Sequence, residues 1–287
     1  MSNLDIAERR IPQDGRMSLK LGEKWVDIRV STLPSSFGER LVLRLLDKAD
    51  ASLDLEDLGM TSEMTKDYLQ QLKSTSGIIL VTGPTGSGKT TTLYSGLNFL
   101  NDQTRNILTV EDPIEYALEG VGQTQVNNKV GLSFSKGLRA ILRQDPDVVM
   151  VGEIRDKETA ETAIQASLTG HLVLSTIHTN DSVGAITRLI DMGVEPYLLA
   201  STLKMVIAQR LVRKLTNKNE FSGRVGIFEM IKIDSDIRNF INETIDEDKI
   251  RKVAFKKYNS LLNDGEEKVK KGITSELEIK RVLKQVD

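Results

Sequence analysis

Apolar and polar positions alternate through the first fifty residues. Runs at 17–21, 25–31 and 41–46 read as strands with one wet face, after a short helical pattern at the start and a turn over 12–16. Two or three such strands make a thin domain alone. Residues 1–50 are therefore expected to be the tail of a larger domain whose beginning is missing, with a β-appendage packed on the next domain as the alternative. From 51 to 73 the pattern is helical with breaks and predicts a linker.

Residues 74–215 follow a different rhythm. Short apolar or β-branched runs at 78–82, 106–111, 121–126, 148–151 and 172–176 alternate with helical stretches at 134–142, 156–167, 182–192 and 196–215. Such alternation predicts an α/β core with a parallel sheet, the all-apolar runs being strands buried on both faces. Beyond 216 comes a β-like run at 225–231, then helical patterns broken near Thr244, Asn259 and Gly272, with Ser275 and Glu278 spaced as a capping box for the last helix. Residues 216–287 are expected to form a mainly helical C-terminal domain.

Composition narrows the classes. The 287 residues hold 39 basic and 41 acidic side chains, a formal net charge of −2, so no global field draws nucleic acid or an anionic membrane. With no cysteine and two histidines there is neither a disulfide framework nor a thiolate zinc site. No apolar run approaches the roughly twenty residues of a membrane-spanning helix, and the first ten residues lack the apolar middle of a signal peptide. These observations predict a cytoplasmic protein that meets a membrane only through partners.

Chemistry concentrates between the run 78–82 and a helix-compatible stretch. Gly83, Pro84, Thr85, Gly86, Ser87, Gly88, Lys89 and Thr90, with Thr91 following, have the glycine spacing and the Lys-Thr ending of a P-loop. Glycines let backbone N–H groups face phosphates, and the following helix offers its positive end. Lys89 would pair with the β- and γ-phosphates, and the Thr90 hydroxyl would ligate Mg²⁺.

Two acids follow apolar strands and could reach the same sheet edge. Glu153, after the run 148–151, stands where a P-loop protein keeps the acid that holds the metal ion through water; Gly152-Glu153 replaces the usual Asp. Glu111, at the head of Glu111-Asp112-Pro113-Ile114-Glu115, is the expected water-activating base. His171 and His178 bracket the run 172–177; His178, followed by Thr179 and Asn180, sits where a γ-phosphate sensor belongs. Taken singly, each acid, each histidine, and Arg29, Arg40 and Arg44 outside the nucleotide segment read as caps, structural groups or ordinary ion pairs.

Together the segments 110–116, 141–147, 152–156 and 170–180 resemble the secretion ATPase superfamily, on the branch of the assembly ATPases of type II secretion, type IV pilus and competence-pseudopilus systems. Residues 12–16, 27–34, 38–40 and 44–47 resemble the end of that family's N-terminal regulatory domain. The resemblance implies a RecA-like P-loop core (74–215), a partial PAS-like β domain before it, an Asp box at Glu111–Glu115, an atypical Walker B at Glu153 and a His box from His171 to His178. It also implies a homo-hexamer in which Arg29 and Arg44 reach the nucleotide, ATP and Mg²⁺ as cofactors, an inner-membrane platform protein as partner, and no specific nucleic acid. The family's tetracysteine site has no counterpart here, so no zinc is expected. The function implied is ATP hydrolysis that powers pilus or pseudopilus assembly. A retraction motor shares nearly every motif, and a truncated nucleotide-binding scaffold with little turnover is the reading from another class.

Overall fold

The computed structural model describes residues 2, 4–22, 24–46, 54–216, 220–243 and 246–283. The chain divides into two compact units: residues 1–52 together with Glu115–Ala117, and residues 53–114 together with 118–287.

The first unit is an antiparallel meander of β1 (Gln13–Leu21), β2 (Lys24–Ser35) and β3 (Gly38–Leu46), in that spatial order. Alternation decides its faces. Ile28 and Val30 on β2 are buried, whereas the opposite face carries Arg16, Arg29 and Arg44 in one cross-strand row. The helical pattern at the chain start forms no helix among the described residues. There the Asp5 and Glu8 carboxylates accept from the backbone N–H groups of Ala7 and Arg10, bonds that compete with a helical turn.

The second unit begins, within the expected linker, with a single 3₁₀ turn (Leu55–Leu58) and α1 (Ser62–Leu72), whose N-terminus is capped by Thr61. Residues 51–53 of that linker lie outside the described residues. Alternating elements then follow: β4 (Gly77–Thr82), α2 (Lys89–Leu100), β5 (Ile107–Glu111), β6 (Gly122–Gln125), α3 (Phe134–Ile141), β7 (Val148–Val151), α4 (Lys157–Leu168), β8 (Leu172–Ile177) and α5 (Ser182–Asp191). The expected helix over 196–215 is instead a short α6 (Pro196–Thr202) running into the long strand β9 (Leu203–Leu215). Met205, Val206, Ile207 and Ala208 are fully buried, and an apolar run wet on neither side carries no period by which strand and helix could be told apart.

The seven strands of this unit run in the order β10-β9-β4-β8-β7-β5-β6, all parallel except the edge strand β10 (Phe221–Lys232), antiparallel to β9. The strand β4 that delivers the Gly-rich loop is thus flanked by β8 and β9. The boundary expected at 215/216 falls inside the β9–β10 hairpin, and the tail belongs to the same compact unit. Its helices are α7 (Ser235–Glu243), α8 (Glu247–Lys257), α9 (Leu261–Lys270) and α10 (Glu276–Leu283); the expected break at Thr244 lies outside the described residues. Ile237, Ile241 and Ile250 join the main core beside Ile186 and Leu189. Leu261 and Ile279 cluster with Ala208, Val212 and Ile227 from the hairpin. Tertiary burial, not a change in composition, sets where this domain ends.

Candidate functional site

The Gly-rich loop leaves β4 at its C-terminal end and enters α2 at Lys89. Gly83, Gly86 and Gly88 have φ of +145°, +80° and +89°, a region that side chains with a Cβ rarely enter. At Gly83 there is no room either: a Cβ would stand 2.4 Å from the Gln209 carbonyl oxygen on β9. Gly86 faces open space. Pro84 and Thr85 are exposed at the tip, while Thr90 and Thr91 are half-buried in the first turn of α2.

Lys89 Nζ donates to the carbonyls of Gly83 (2.8 Å) and Pro84 (3.1 Å), so the ammonium lies back across its own loop. Burial pushes its proton affinity below the ordinary lysine value; the Glu153 carboxylate opposes that shift and the Arg210 guanidinium adds to it. The Ser87 hydroxyl is buried and has no hydrogen-bond partner among the described residues. A glycine cradle, a lysine with two weak carbonyl partners and an orphaned hydroxyl are the donors that phosphate oxygens would satisfy. Thr90 and Glu153 supply hard oxygen atoms of the kind Mg²⁺ takes alongside phosphates. The residues fit a nucleotide with its metal ion.

Glu153 follows β7 and its side chain is only 14% exposed. One carboxylate oxygen stands 2.9 Å from His178 Nε2 and the other accepts from Arg155 Nε at 2.6 Å. His178, at the C-terminal end of β8, is held from behind: the Thr82 hydroxyl accepts the Thr179 N–H at 2.9 Å, which fastens the loop after β8 to the last residue of β4. His171 precedes β8, so it lies at the opposite sheet edge from the phosphate loop, with Nδ1 beside the Ala166 carbonyl at the end of α4. The bracket of two histidines in sequence is therefore split by the length of a strand.

Glu111 ends β5 but its side chain turns into the protein, 3% exposed. One oxygen accepts from Thr109 Oγ1 (2.6 Å) and Gln123 Nε2 (3.1 Å), and the other from the Tyr94 hydroxyl on α2. Three donors commit both oxygens of the acid expected to act as base.

Arg29 and Arg44 are on β2 and β3 of the first unit, directly opposite each other. Arg29 Nη2 meets Glu115 Oε2 at 2.8 Å, so one acid of the expected Asp box clusters with the arginine sheet. Arg16 extends the row on β1.

One buried cation escapes sequence reasoning. Arg210 on β9 is 3% exposed, and its Nη1 stands 3.2 Å from where a Cβ on Gly83 would be. A helix over 196–215, as the sequence predicts, would hide it, since only a strand beside β4 brings Gln209 and Arg210 against the loop.

Among the described residues no group of three or more His, Cys, Asp or Glu could hold a metal ion, and no helix is long and apolar enough to cross a membrane.

A central strand, a glycine loop and a flanking parallel sheet define an α/β architecture shared with a solved ATPase and a solved pilus motor. The fold matches the ATPase DotB of Legionella pneumophila with a TM-score of 0.79 and 26% identity, over 94% of this chain and 76% of that one. It matches the pilus retraction motor PilT, solved with bound ADP, with a TM-score of 0.79 and 32% identity, over 95% and 77%.

The family described as type II/IV secretion system protein matches residues 1–284, and the chain belongs to it. Its relatives include the type II secretion system protein E of Pseudomonas aeruginosa, 53% identical over 99% of this chain, and the type II secretion system ATPase E of Vibrio cholerae, 51% identical over 99%. The chain spans 64% of the length of each of these two relatives.

Proposed function

We propose that this protein binds ATP with Mg²⁺ at residues 83–91 and hydrolyses it. In a chain as long as its relatives, turnover would drive assembly of a type II secretion pseudopilus. The observation that carries the reading is the cluster at one sheet edge: Lys89 folded over its glycine loop, with Glu153 and His178 paired at 2.9 Å on the neighbouring strand ends. The family supports the ATPase reading, and relatives at 51–53% identity favour type II secretion over the retraction motor at 32%.

Lys89 and the loop N–H groups hold the phosphates. The bound metal ion would neutralise charge on the phosphate oxygens, with Thr90 and, through water, Glu153 as its protein-side oxygens. His178, anchored through Thr179, presents Nε2 toward the γ-phosphate end. The base role expected for Glu111 passes in this proposal to Glu153, because a base needs a lone pair that water can reach: Glu111 is 3% exposed among buried donors, whereas the Glu153 side chain is 14% exposed and its partners Arg155 and His178 are themselves open to solvent. Glu111 instead positions the end of β5 against α2. Arg29 and Arg44 act as charge-neutralising groups at the nucleotide of a homo-hexamer, and the ring works at the cytoplasmic face of the inner membrane through a platform protein.

Phosphate release by the purified protein, measured beside its mass in solution, tests this. Release abolished by Lys89→Ala supports the proposal. Wild-type protein that binds ATP without turnover would leave only the scaffold reading.

A further inference from the structure

Arg210 is a guanidinium with little access to water. Its Nη2 donates to the Asn180 carbonyl at 2.7 Å and its Nη1 to the Gln209 carbonyl at 3.1 Å. Neither bond goes to a carboxylate, although burying a full charge is costly unless the site makes use of it or pairs it. The acids nearest in charge are Glu229 and Asp181, whose fields oppose the loss of proton affinity that burial imposes on Arg210. Both are spoken for. Glu229 on β10 accepts from the Ser182 N–H and hydroxyl and from the Leu261 N–H, while Asp181 caps α5 and pairs with Arg251.

The geometry gives this cation two addresses. On one side is Gly83, whose carbonyl holds Lys89. On the other is Asn180, two residues past His178. Thr82 already fixes Thr179 from β4, so Arg210 supplies a second attachment for the same loop, from β9. A planar guanidinium holds two acceptors in a fixed fork, whereas the three donors of a lysine ammonium rotate on a flexible stem.

We propose that Arg210 is a positioning residue of the nucleotide site: bridging β9 to the Asn180 carbonyl beside Gly83, it sets His178 where the γ-phosphate is read and so lets the protein distinguish nucleoside triphosphate from diphosphate. The proposal rests on the ATP-binding reading above and deepens it.

The test compares binding of ATPγS and ADP, each with Mg²⁺, by titration calorimetry on the full chain and on Arg210→Gln. The expected result is a preference for ATPγS over ADP in the wild type that falls at least five-fold in the variant, with ADP affinity held within about two- to three-fold. Equal weakening of both nucleotides would mean a merely structural role, and unchanged binding of both would mean none; either overturns the inference. Should Arg210→Gln fail to melt cooperatively, Arg210→Lys carries the same comparison, because it keeps the buried charge and loses the fork. A retained preference in that variant likewise overturns the inference. Wild-type protein that prefers ATPγS yet releases no phosphate would count against hydrolysis and leave the binding comparison to decide the role of Arg210.

Discussion

Glu153 and His178 come from the ends of adjacent strands, twenty-five positions apart in sequence, and meet at 2.9 Å. Because β7 and β8 are parallel and in register from Val148 and Leu172, their C-terminal ends emerge together beside β4 and its glycine loop. Ligands in open α/β sheets bind at this edge. The pair therefore unites an acid and an imidazole over the place where the loop would hold phosphates.

Glu153→Gln should keep nucleotide binding within a few-fold and lower turnover by about 10²-fold or more, the range seen when a positioned acid or base is lost. Phosphate release and nucleotide titration on the same preparation measure both. If Glu111→Gln gives the larger loss while melting normally, the base role returns to Glu111.

On the proposed reading, Lys89→Ala removes charge-assisted hydrogen bonds of about 1.5–3 kcal/mol to the phosphates. ATP affinity should fall roughly 10- to 100-fold at 1.36 kcal/mol per decade. Calorimetry reads this directly; binding at wild-type strength would remove the loop from nucleotide recognition.

Tyr94→Phe takes one donor from a buried carboxylate and leaves Glu111 short of a partner. A loss of about 1–3 kcal/mol in unfolding free energy is expected from denaturant titration. No change in stability would show that the network around Glu111 is not what holds α2 to β5.

Glu278 at the start of α10 accepts from Arg213 at 2.5 Å and from Arg281 at 2.9 Å, and these bonds hold its carboxyl well below the usual carboxylate range. A folded-state pKa lower than the unfolded one contributes stability above roughly pH 4, which is lost as pH falls through the folded value. Glu278→Gln should therefore melt a few degrees below the wild type at pH 7. The gap should close on acidification below about pH 4. A gap that widens in acid would reverse the sign of the argument.

Local chemistry was legible from the chain alone. The strand–loop–helix at 77–100 is written in glycines that only a left-handed backbone needs and in an apolar run that only a buried central strand tolerates. Asp156 caps α4 by accepting the Thr159 N–H. Ser275 accepts the Glu278 N–H as its spacing predicts, although the Glu278 carboxylate turns to Arg213 and Arg281. Family membership was legible as well, because the acidic and histidine segments keep their order.

What the tertiary structure decided is what lies beside what. The run 203–215 has no period to betray a strand, so Arg210 became visible only once β9 was laid against β4. His171 and His178 are close in sequence, yet a strand of six residues carries them to opposite edges of the sheet. Glu111 ends a strand as a reactive acid could, but Tyr94 and Gln123 reach it from α2 and β6 and close it off. Periodicity reports whether a residue meets water on one side of its own element. Which neighbour fills the other side is settled only when every element is packed.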